Sequence, residues 1–596
     1  MPVYKAPLRE YRFLLHETFD MSQYAALPGF RDAPLDVVDQ ILDEAAKLAE
    51  EVLQPLNQVG DREGCKLENG VVTTPTGFRE AYKTLVEGGW PALVVDPAFG
   101  GQGLPNALGV LFNEMVSSAN MAFGMYPGLS HGAYSALFHH GTEAQKQTYL
   151  PRLVSGEWTG TMNLTEPHCG TDLGLLRTRA VPQADGSYRI TGTKIFISAG
   201  EHDLADNIIH LVLARIEGAP QGIKGISLFI VPKFLVREDG SLGARNGVSC
   251  GALEHKMGIH GNATCVLNYD EATGFLVGEE GKGMRAMFTM MNEERLGVGL
   301  QGLSQSEVAY QNAVAYAKDR LQGRSLTGPK EPGKPADPII VHPDVRRMLL
   351  DARAFNEGAR ALLVWTALQG DLSHASDDAA TREFGDDMMA LLTPVVKAYL
   401  TDRGFANAVE AQQVYGGHGY IEENGVSQFV RDARIAMIYE GANGIQALDL
   451  VGRKLATNGG RAVFAFFKTV DAFLAENAKE ERLAPFAAAL SAARKDLEAA
   501  TMWFMENALQ NPDNAGAGSA AYLELFGLTA VTFMWMLMAR TALAKLAGSE
   551  GDRSFYETKL KTGLYYVGRV APEAAMYLER IRLGAAPLMA FAADEF

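Results

Sequence analysis

The chain has 596 residues, more than a single hydrophobic core serves, and this length predicts three or four domains. Apolar residues make up 47% and charged residues 21%, a balance that excludes a disordered chain. With 71 acidic against 54 basic side chains the formal net charge is -17, and no stretch concentrates lysine and arginine, which argues against a nucleic-acid partner.

The four cysteines, Cys65, Cys169, Cys250 and Cys265, show no Cys-x-x-Cys spacing. They are too few for a disulfide scaffold or a structural zinc cluster, so a reducing compartment and no metal are expected. The opening MPVYKAPLREYRFLLHETFD breaks every apolar run with a charge and offers no signal-peptide core, which predicts a cytoplasmic protein. The most membrane-like segment, Leu525 to Ala539, is bounded by Glu524 and Arg540 and falls short of the roughly 20 apolar residues that span a bilayer. It reads as a buried helix, with no integral membrane segment.

In chain order, apolar residues from Asp36 to about Leu153 fall mainly at helical intervals, as in Val37, Val38, Ile41, Leu42, Ala45, Leu48 and Ala49. Near Thr161 the texture changes to short β-rich runs, SYRITGTKIFIS, NIIHLVLARI, GISLFIVPKFLV and TCVLNYDE. The exit LVGEEGKGM leads into a second helical region, interrupted by TGPKEPGKPADP (Thr327 to Pro338), whose four prolines and two glycines mark a surface insertion. After about Gly460 the stripe Val463, Phe466, Phe467, Val470, Phe473 and Leu474 opens an appended bundle. The expected fold class is α+β multidomain: an N-terminal helical domain (1–160), a central β-barrel-like domain (161–281), a four-helix bundle (282–460) and an appended helical domain (461–596).

Five strings carry candidate chemistry. MNLTEPHCGTDLG (Met162 to Gly174) reads as a ligand loop, with the Thr165 hydroxyl, a stiffening Pro167, and Gly170 with Thr171 permitting backbone N–H groups to approach a phosphate or polar ring edge. TGTKIFISAG places Phe196 and Ser198 on one strand face, where a planar ring could rest. AKDRLQGRSL ends a helix with Arg320 and Arg324, suited to pyrophosphate. QVYGGHGY brings Gly416, Gly417 and Gly419, without the spacing or preceding strand of a Rossmann fingerprint. Taken alone, the first three favour a blander reading: a solvated turn, a core aromatic beside a surface serine, a basic helix end.

The fifth string, IYEGANGIQALDLVGRK (Ile438 to Lys454), sets Glu440 in a break before a helix that Asn443 can cap, with Gln446 completing a capping box. Flanked by Ile438 and Tyr439, Glu440 reads as an anchored carboxylate in an apolar pocket, where desolvation raises its pKa toward that of a general base.

In this order, LTEPHCGTD, KIFIS, DRLQGR, QVYGGHGY and IYEG closely resemble the acyl-CoA dehydrogenase family over residues 36 to 456. The length and appended helices resemble a long bacterial subgroup that includes 3-methylmercaptopropionyl-CoA dehydrogenases. The resemblance implies FAD held between the β domain and the second helical domain, and desaturation of an acyl-CoA at its α and β carbons. By motif position Leu164, Thr165, Gly170, Thr171, Phe196 and Ser198 border the flavin. Arg320, Gln322, Gln413, Gly416 and Gly417 match positions that reach the FAD of a neighbouring subunit, implying a homo-oligomer, expected as a dimer.

Glu440 matches the family's base, whose own backbone N–H helps meet the thioester oxygen as enolate charge develops. Glu294, before Arg295, stands where some members place the base instead; retention of IYEG favours Glu440. Thr171 and Arg295 are further candidates for acyl-CoA contact. Departures from the family pattern fall at Phe196, Gly323, Arg324 and Ala442 to Gly444. The expected activity is transfer of electrons from 3-(methylthio)propanoyl-CoA or a short or medium-chain fatty acyl-CoA to an electron-transfer flavoprotein. An acyl-CoA oxidase, a flavin-containing DNA-binding relative and a silent acyl-CoA-binding scaffold are the alternatives.

Overall fold

Between Trp158 and Val277, β-branched and aromatic runs separated by turn residues each form a strand: β1 (Trp158–Asn163), β2 (Arg179–Pro182), β3 (Tyr188–Ser198), β4 (Asn207–Ile216), β5 (Ile226–Pro232), β6 (Val248–Leu253) and β7 (Thr264–Val277). The structure is a computed structural model and describes residues 2–548 and 552–596. The order β6-β7-β3-β2-β4-β1 runs along the sheet, and β5 pairs with both β7 and β4. That double pairing closes β7, β3, β2, β4 and β5 into a ring, the barrel expected for this region, which leaves those five strands without a free edge. Its interior is packed with Ile190, Val212, Ala214, Phe229, Val231, Cys265 and Leu267, all nearly or fully buried. The pairings of β1 and β2 with β4 are parallel, and the rest are antiparallel.

By its internal packing the chain divides into two compact units. One contains Ala45–Leu104 and Met115–Gly297, and so holds the barrel; the other contains the described residues up to Glu44, Pro105–Glu114 and Val298–Phe596. The helix α1 (Asn106–His140) is interrupted at Asn120, whose φ of -159° and ψ of 90° are not helical. Its side chain accepts from Phe123 N at 3.1 Å and so caps the second segment.

The second unit is built on long helices: α2 (Gly283–Asp319) enters it, followed by α3 (Pro343–Ala375), α4 (Ala379–Tyr415), the short α5 (Asn443–Asp449), α6 (Arg461–Glu476), α7 (Ala484–Asn507), α8 (Pro512–Ala547), α9 (Arg553–Arg569) and α10 (Glu573–Arg582). Long α8 is the one described helix apolar enough to cross a membrane, yet most of its apolar window is buried by protein. Small residues let it approach the bundle: a methyl group at Gly527 would meet the Tyr399 ring at 2.3 Å, and one at Gly358 would meet Val531 at 2.6 Å. The Trp535 indole N–H donates to Ala354 O at 3.1 Å. The helices after residue 460 therefore share a core with α3 and α4. The stripe Val463, Phe466, Phe467, Val470 and Phe473 is buried as its spacing requires.

The first residues are also packed into this unit: Tyr4, Tyr11, Phe13, Leu14 and Leu15 are almost completely buried. They enclose two charged knots. Arg360 makes a forked contact to Glu114 at 2.6–3.0 Å and reaches Glu307 at 2.8 Å. Lys559 bonds Glu357 at 2.6 Å and also Glu10. Buried charges persist only when paired in this way.

In the first unit His260 lies with Nδ1 2.8 Å from Asp61 O and 3.1 Å from Asp61 Oδ1, and Nε2 2.7 Å from Lys256 O. Two acceptors call for a doubly protonated ring, and the hydrogen bond to Asp61 raises its pKa to about 9. A histidine pKa raised by folding contributes stability that is complete below its unfolded value of about 6.5 and lost as pH rises through the folded one. Thermal unfolding of His260→Asn should therefore fall below the parent near pH 6 and converge with it near pH 10; an equal deficit at both pH values would contradict the assignment.

Candidate active site

The loop after β1 is held by a buried ion pair. Glu166 accepts from the Lys194 ammonium at 2.9 Å, from Thr178 N and Oγ1 at 3.0 and 2.6 Å, and from Arg177 N at 2.7 Å. Burial would raise this carboxyl, but Lys194 and the other donors hold it below its ordinary range. Lys194, fully buried on β3, also donates to Leu164 O at 2.8 Å, while Ile195 N donates to Thr165 O at 2.9 Å. The structure thus brings the first two strings together. Leu164 is buried, Thr165 half-buried, and Gly170 and Thr171 exposed on the loop crest. Glu166 and Lys194 were missed in the sequence, although the TEP and KIF strings contain them. The proximity of Glu166, His168 and Cys169 is a feature of this same loop, since the Glu166 oxygens are already occupied and His168 Nε2 lies 2.9 Å from Leu175 O.

Simple strand alternation does not hold at Phe196. The register shifts between Cys265 and Leu267, where a β-bulge accommodates Ile195 and Phe196. Phe196 has a φ of 60° and is 60% exposed, while Ile197 is buried and Ser198 half-buried. A bulky residue in the left-handed region is strained, and this strain turns an aromatic ring outward. The shared face predicted for Phe196 and Ser198 is therefore set by the bulge and not by period-two alternation.

In the other unit Glu440 has a φ of 55° and Gly441 a φ of 80°, a left-handed pair between two helices. The expected capping box is not what holds it. Ala442 is the N-cap residue of α5 and supplies no side-chain cap. Asn443 instead accepts from Lys397 Nζ at 2.7 Å and donates to Thr401 Oγ1 at 2.9 Å and Asp402 Oδ1 at 2.8 Å, tying the turn to α4. Gln446 donates to the carbonyls of Glu440 and Gly441 at 3.2 and 3.1 Å. The Tyr439 hydroxyl bonds Gln301 on α2. Glu440 is half-buried, and Ile438 is about half exposed, so the surroundings are less enclosed than an apolar pocket.

The third and fourth strings meet at one end of the same unit. Tyr316 of α2 stacks on Tyr415 of α4 with centroids 4.1 Å apart, and its hydroxyl lies 2.8 Å from His418 Nδ1. Arg320, Gln322 and Gln413 are exposed there. Gly416 has a φ of 57°, and a methyl group on Gly416 or Gly417 would touch nothing within 4 Å. At Gly419 it would strike Gln412 O at 2.5 Å, so that glycine is required by packing. Arg324 is committed elsewhere: it bonds Asp337 at 3.2 Å and Glu331 O at 3.1 Å inside the Pro-rich loop. Arg295 is almost buried on α2, bonded to Asn292 at 3.2 Å, with its guanidinium 5.9 Å from the centre of the Phe288 ring.

Family models for the N-terminal, middle and C-terminal domains of acyl-CoA dehydrogenase match residues 37–157, 161–272 and 281–455, and one for an acetyl-CoA dehydrogenase C-terminal-like domain matches 466–592. The chain belongs to the acyl-CoA dehydrogenase family. A 3-methylmercaptopropionyl-CoA dehydrogenase of Ruegeria pomeroyi is 44% identical over 97% of this chain and 98% of its own. A butyryl-CoA dehydrogenase of Syntrophomonas wolfei is 37% identical over 96% of this chain and 95% of its own. Among solved structures, an acyl-CoA dehydrogenase complexed with FAD from Bacillus anthracis has a TM-score of 0.73 at 21% identity, covering 92% of this chain and 88% of that one, a likeness of fold. The full-length relatives favour a dehydrogenase over the oxidase and DNA-binding alternatives.

Lys194→Met should leave Glu166 buried without its cation, at a cost of about 3–5 kcal/mol. The purified variant is expected to carry substoichiometric flavin and unfold at lower temperature, with stability partly restored by adding Glu166→Gln. Parental flavin content and unfolding temperature would contradict a positioning role for the pair.

Proposed function

We propose that this chain dehydrogenates short acyl-CoA thioesters, with 3-(methylthio)propanoyl-CoA the leading substrate and Glu440 the base that removes the α proton. Membership of the acyl-CoA dehydrogenase family makes it an FAD-dependent oxidoreductase acting on CH–CH bonds of acyl-CoA. The substrate reading draws support from the names of the Ruegeria and Syntrophomonas relatives, both of which act on short acyl groups.

The observation that carries the base assignment is the left-handed Glu440–Gly441 turn, anchored to α2 by Tyr439 and to α4 by Asn443. Non-glycine residues adopt such backbone at a cost and concentrate where a side chain must be aimed. A thioester α proton is weakly acidic, so a carboxylate must be delivered in one fixed direction as the carbanion forms. Gln446 prevents the peptide planes on either side of Gly441 from rotating, which keeps that direction constant.

Residues suited to the cofactor are present. Outward-turned Phe196 and Ser198 with Leu164, Thr165, Gly170 and Thr171 would hold the flavin ring and its neighbouring phosphates, and open Gly416 and Gly417 with Arg320, Gln322 and Gln413 would hold FAD of a neighbouring subunit. FAD, when bound, accepts the hydride from the β carbon. The same reading makes the protein a homo-oligomer, a dimer in the simplest case, located in the cytoplasm. It delivers electrons to an electron-transfer flavoprotein, a partner typical of the family.

Glu440→Gln should bind FAD and acyl-CoA normally but lower the rate of anaerobic flavin bleaching by about 10²–10⁴-fold, the usual contribution of a positioned base. Bleaching at the parental rate would remove Glu440 from the role.

A further inference from the structure

The turn that carries Glu440 is fastened to a short stretch of α4, and the helices that follow residue 460 grip the same stretch from its other side. Asn443 meets Lys397 Nζ, Ala398 O, Thr401 Oγ1 and Asp402 Oδ1 at 2.7–3.3 Å. At about 100° per residue, Tyr399 and Arg403 leave the helix about 200° away from Lys397 and Thr401. There α8 lies so close that a methyl group at Gly527 would come 2.3 Å from the Tyr399 ring. One turn earlier on α8, Glu524 reaches Arg403 at 3.3 Å. From α10, Glu573 and the Tyr577 hydroxyl each accept from the same guanidinium nitrogen at 2.8 Å. Tyr577 in turn donates to Glu524 at 3.3 Å. All of these residues belong to one compact unit.

Asn443 can hold the turn only as firmly as α4 itself is held, because its partners all ride on residues 397 to 402. Close-packed helices resist sliding and transmit strain, so a grip at Tyr399 and Arg403 fixes the anchor points on the opposite side. The bundle is also tied to α4 at a second place. Arg461, which opens α6, bonds Asp387 at 2.7 and 2.8 Å and also Glu383, an exposed contact ten residues before Lys397. That tie does not bear on the stretch that holds Asn443, and exposed pairs of this kind add little stability.

We propose that the appended helices position the base: Arg403, gripped by Glu524, Glu573 and Tyr577, fixes the part of α4 on which the Glu440 turn is anchored. This rests on the reading of Glu440 as the base, and it gives residues 461–596 a part in the reaction beyond holding the fold together. Arg403 is a positioning residue. It acts through α4 and Asn443 and does not itself handle the proton. Removal of a thioester α proton is sensitive to direction, and a displacement of about 1 Å costs up to about 10²-fold in rate.

The test uses the full-length, FAD-loaded protein with butanoyl-CoA and reads kcat per bound flavin separately from KM. Arg403→Met should lower kcat by about tenfold or more while KM stays close to the parental value. Arg403→Lys, which keeps a donor for Glu573, should recover part of that loss. Arg461→Ala loosens the bundle away from the anchor and should leave kcat parental. A parental kcat in Arg403→Met would overturn the proposal, and so would an equal loss in Arg461→Ala, which would reveal general loosening. If Arg403→Met does not fold, Glu573→Gln and Tyr577→Phe cut the same contact more gently. A fall in kcat at constant KM in these two supports the proposal, and a parental kcat in both overturns it. Bleaching at the parental rate in Glu440→Gln would instead remove the base assignment, whatever Arg403 does.

Discussion

A single left-handed turn, Glu440 followed by Gly441, is the constraint on which the chemistry depends. Its conformation costs energy at a residue with a Cβ, and it persists because the neighbours are over-determined. Asn443 spends both ends of its amide on α4, Gln446 holds the two carbonyls of the turn, and Tyr439 reaches α2. None of these contacts involves the carboxylate oxygens of Glu440. The side chain that would do the chemistry is aimed by its backbone, and the surrounding amides absorb the strain.

The other unit uses the same logic with different parts. Phe196 is turned out of the barrel wall by a bulge and a left-handed φ, and the adjoining loop is fixed by Lys194 and Glu166. A buried ion pair contributes little net stability compared with apolar packing, but losing one partner is expensive, so such a pair fixes geometry more than it adds stability. Arg360 with Glu114 and Glu307, and Lys559 with Glu357 and Glu10, do the same for the helical unit. The first joins Glu114 to α2 and α3, and the second joins Glu10 to helices several hundred positions away.

Much of this was legible in the residues. Helical spacing, short β runs and a return to helices gave the architecture, because periodicity records which face is buried. The buried-helix reading of the apolar stretch in α8 holds because protein packing covers it, although the helix as a whole is long and apolar enough to span a bilayer. Other features depend on contacts distant in sequence. Closure of the barrel requires β5 to pair with both β4 and β7, which no local pattern encodes. Asn443 reads as an N-cap but is the first residue of α5, and its amide is captured by Lys397, Thr401 and Asp402 on a helix some forty residues earlier. Arg324 belongs by spacing with Arg320 but is captured by Asp337. The alternation along the strand breaks between Lys194 and Phe196 because one extra residue enters there. Long-range partners, in each case, override a local preference that was correctly read.

The most direct measurement follows proton exchange in deuterated water, using 3,3-dimethylbutanoyl-CoA, a thioester with α protons but no β hydrogen to lose as hydride. The account predicts that the parent protein, loaded with FAD, incorporates deuterium at the α carbon, and that Glu440→Gln, equally loaded, does not. Exchange at the same rate in both proteins would show that another group removes the proton and would contradict the central claim.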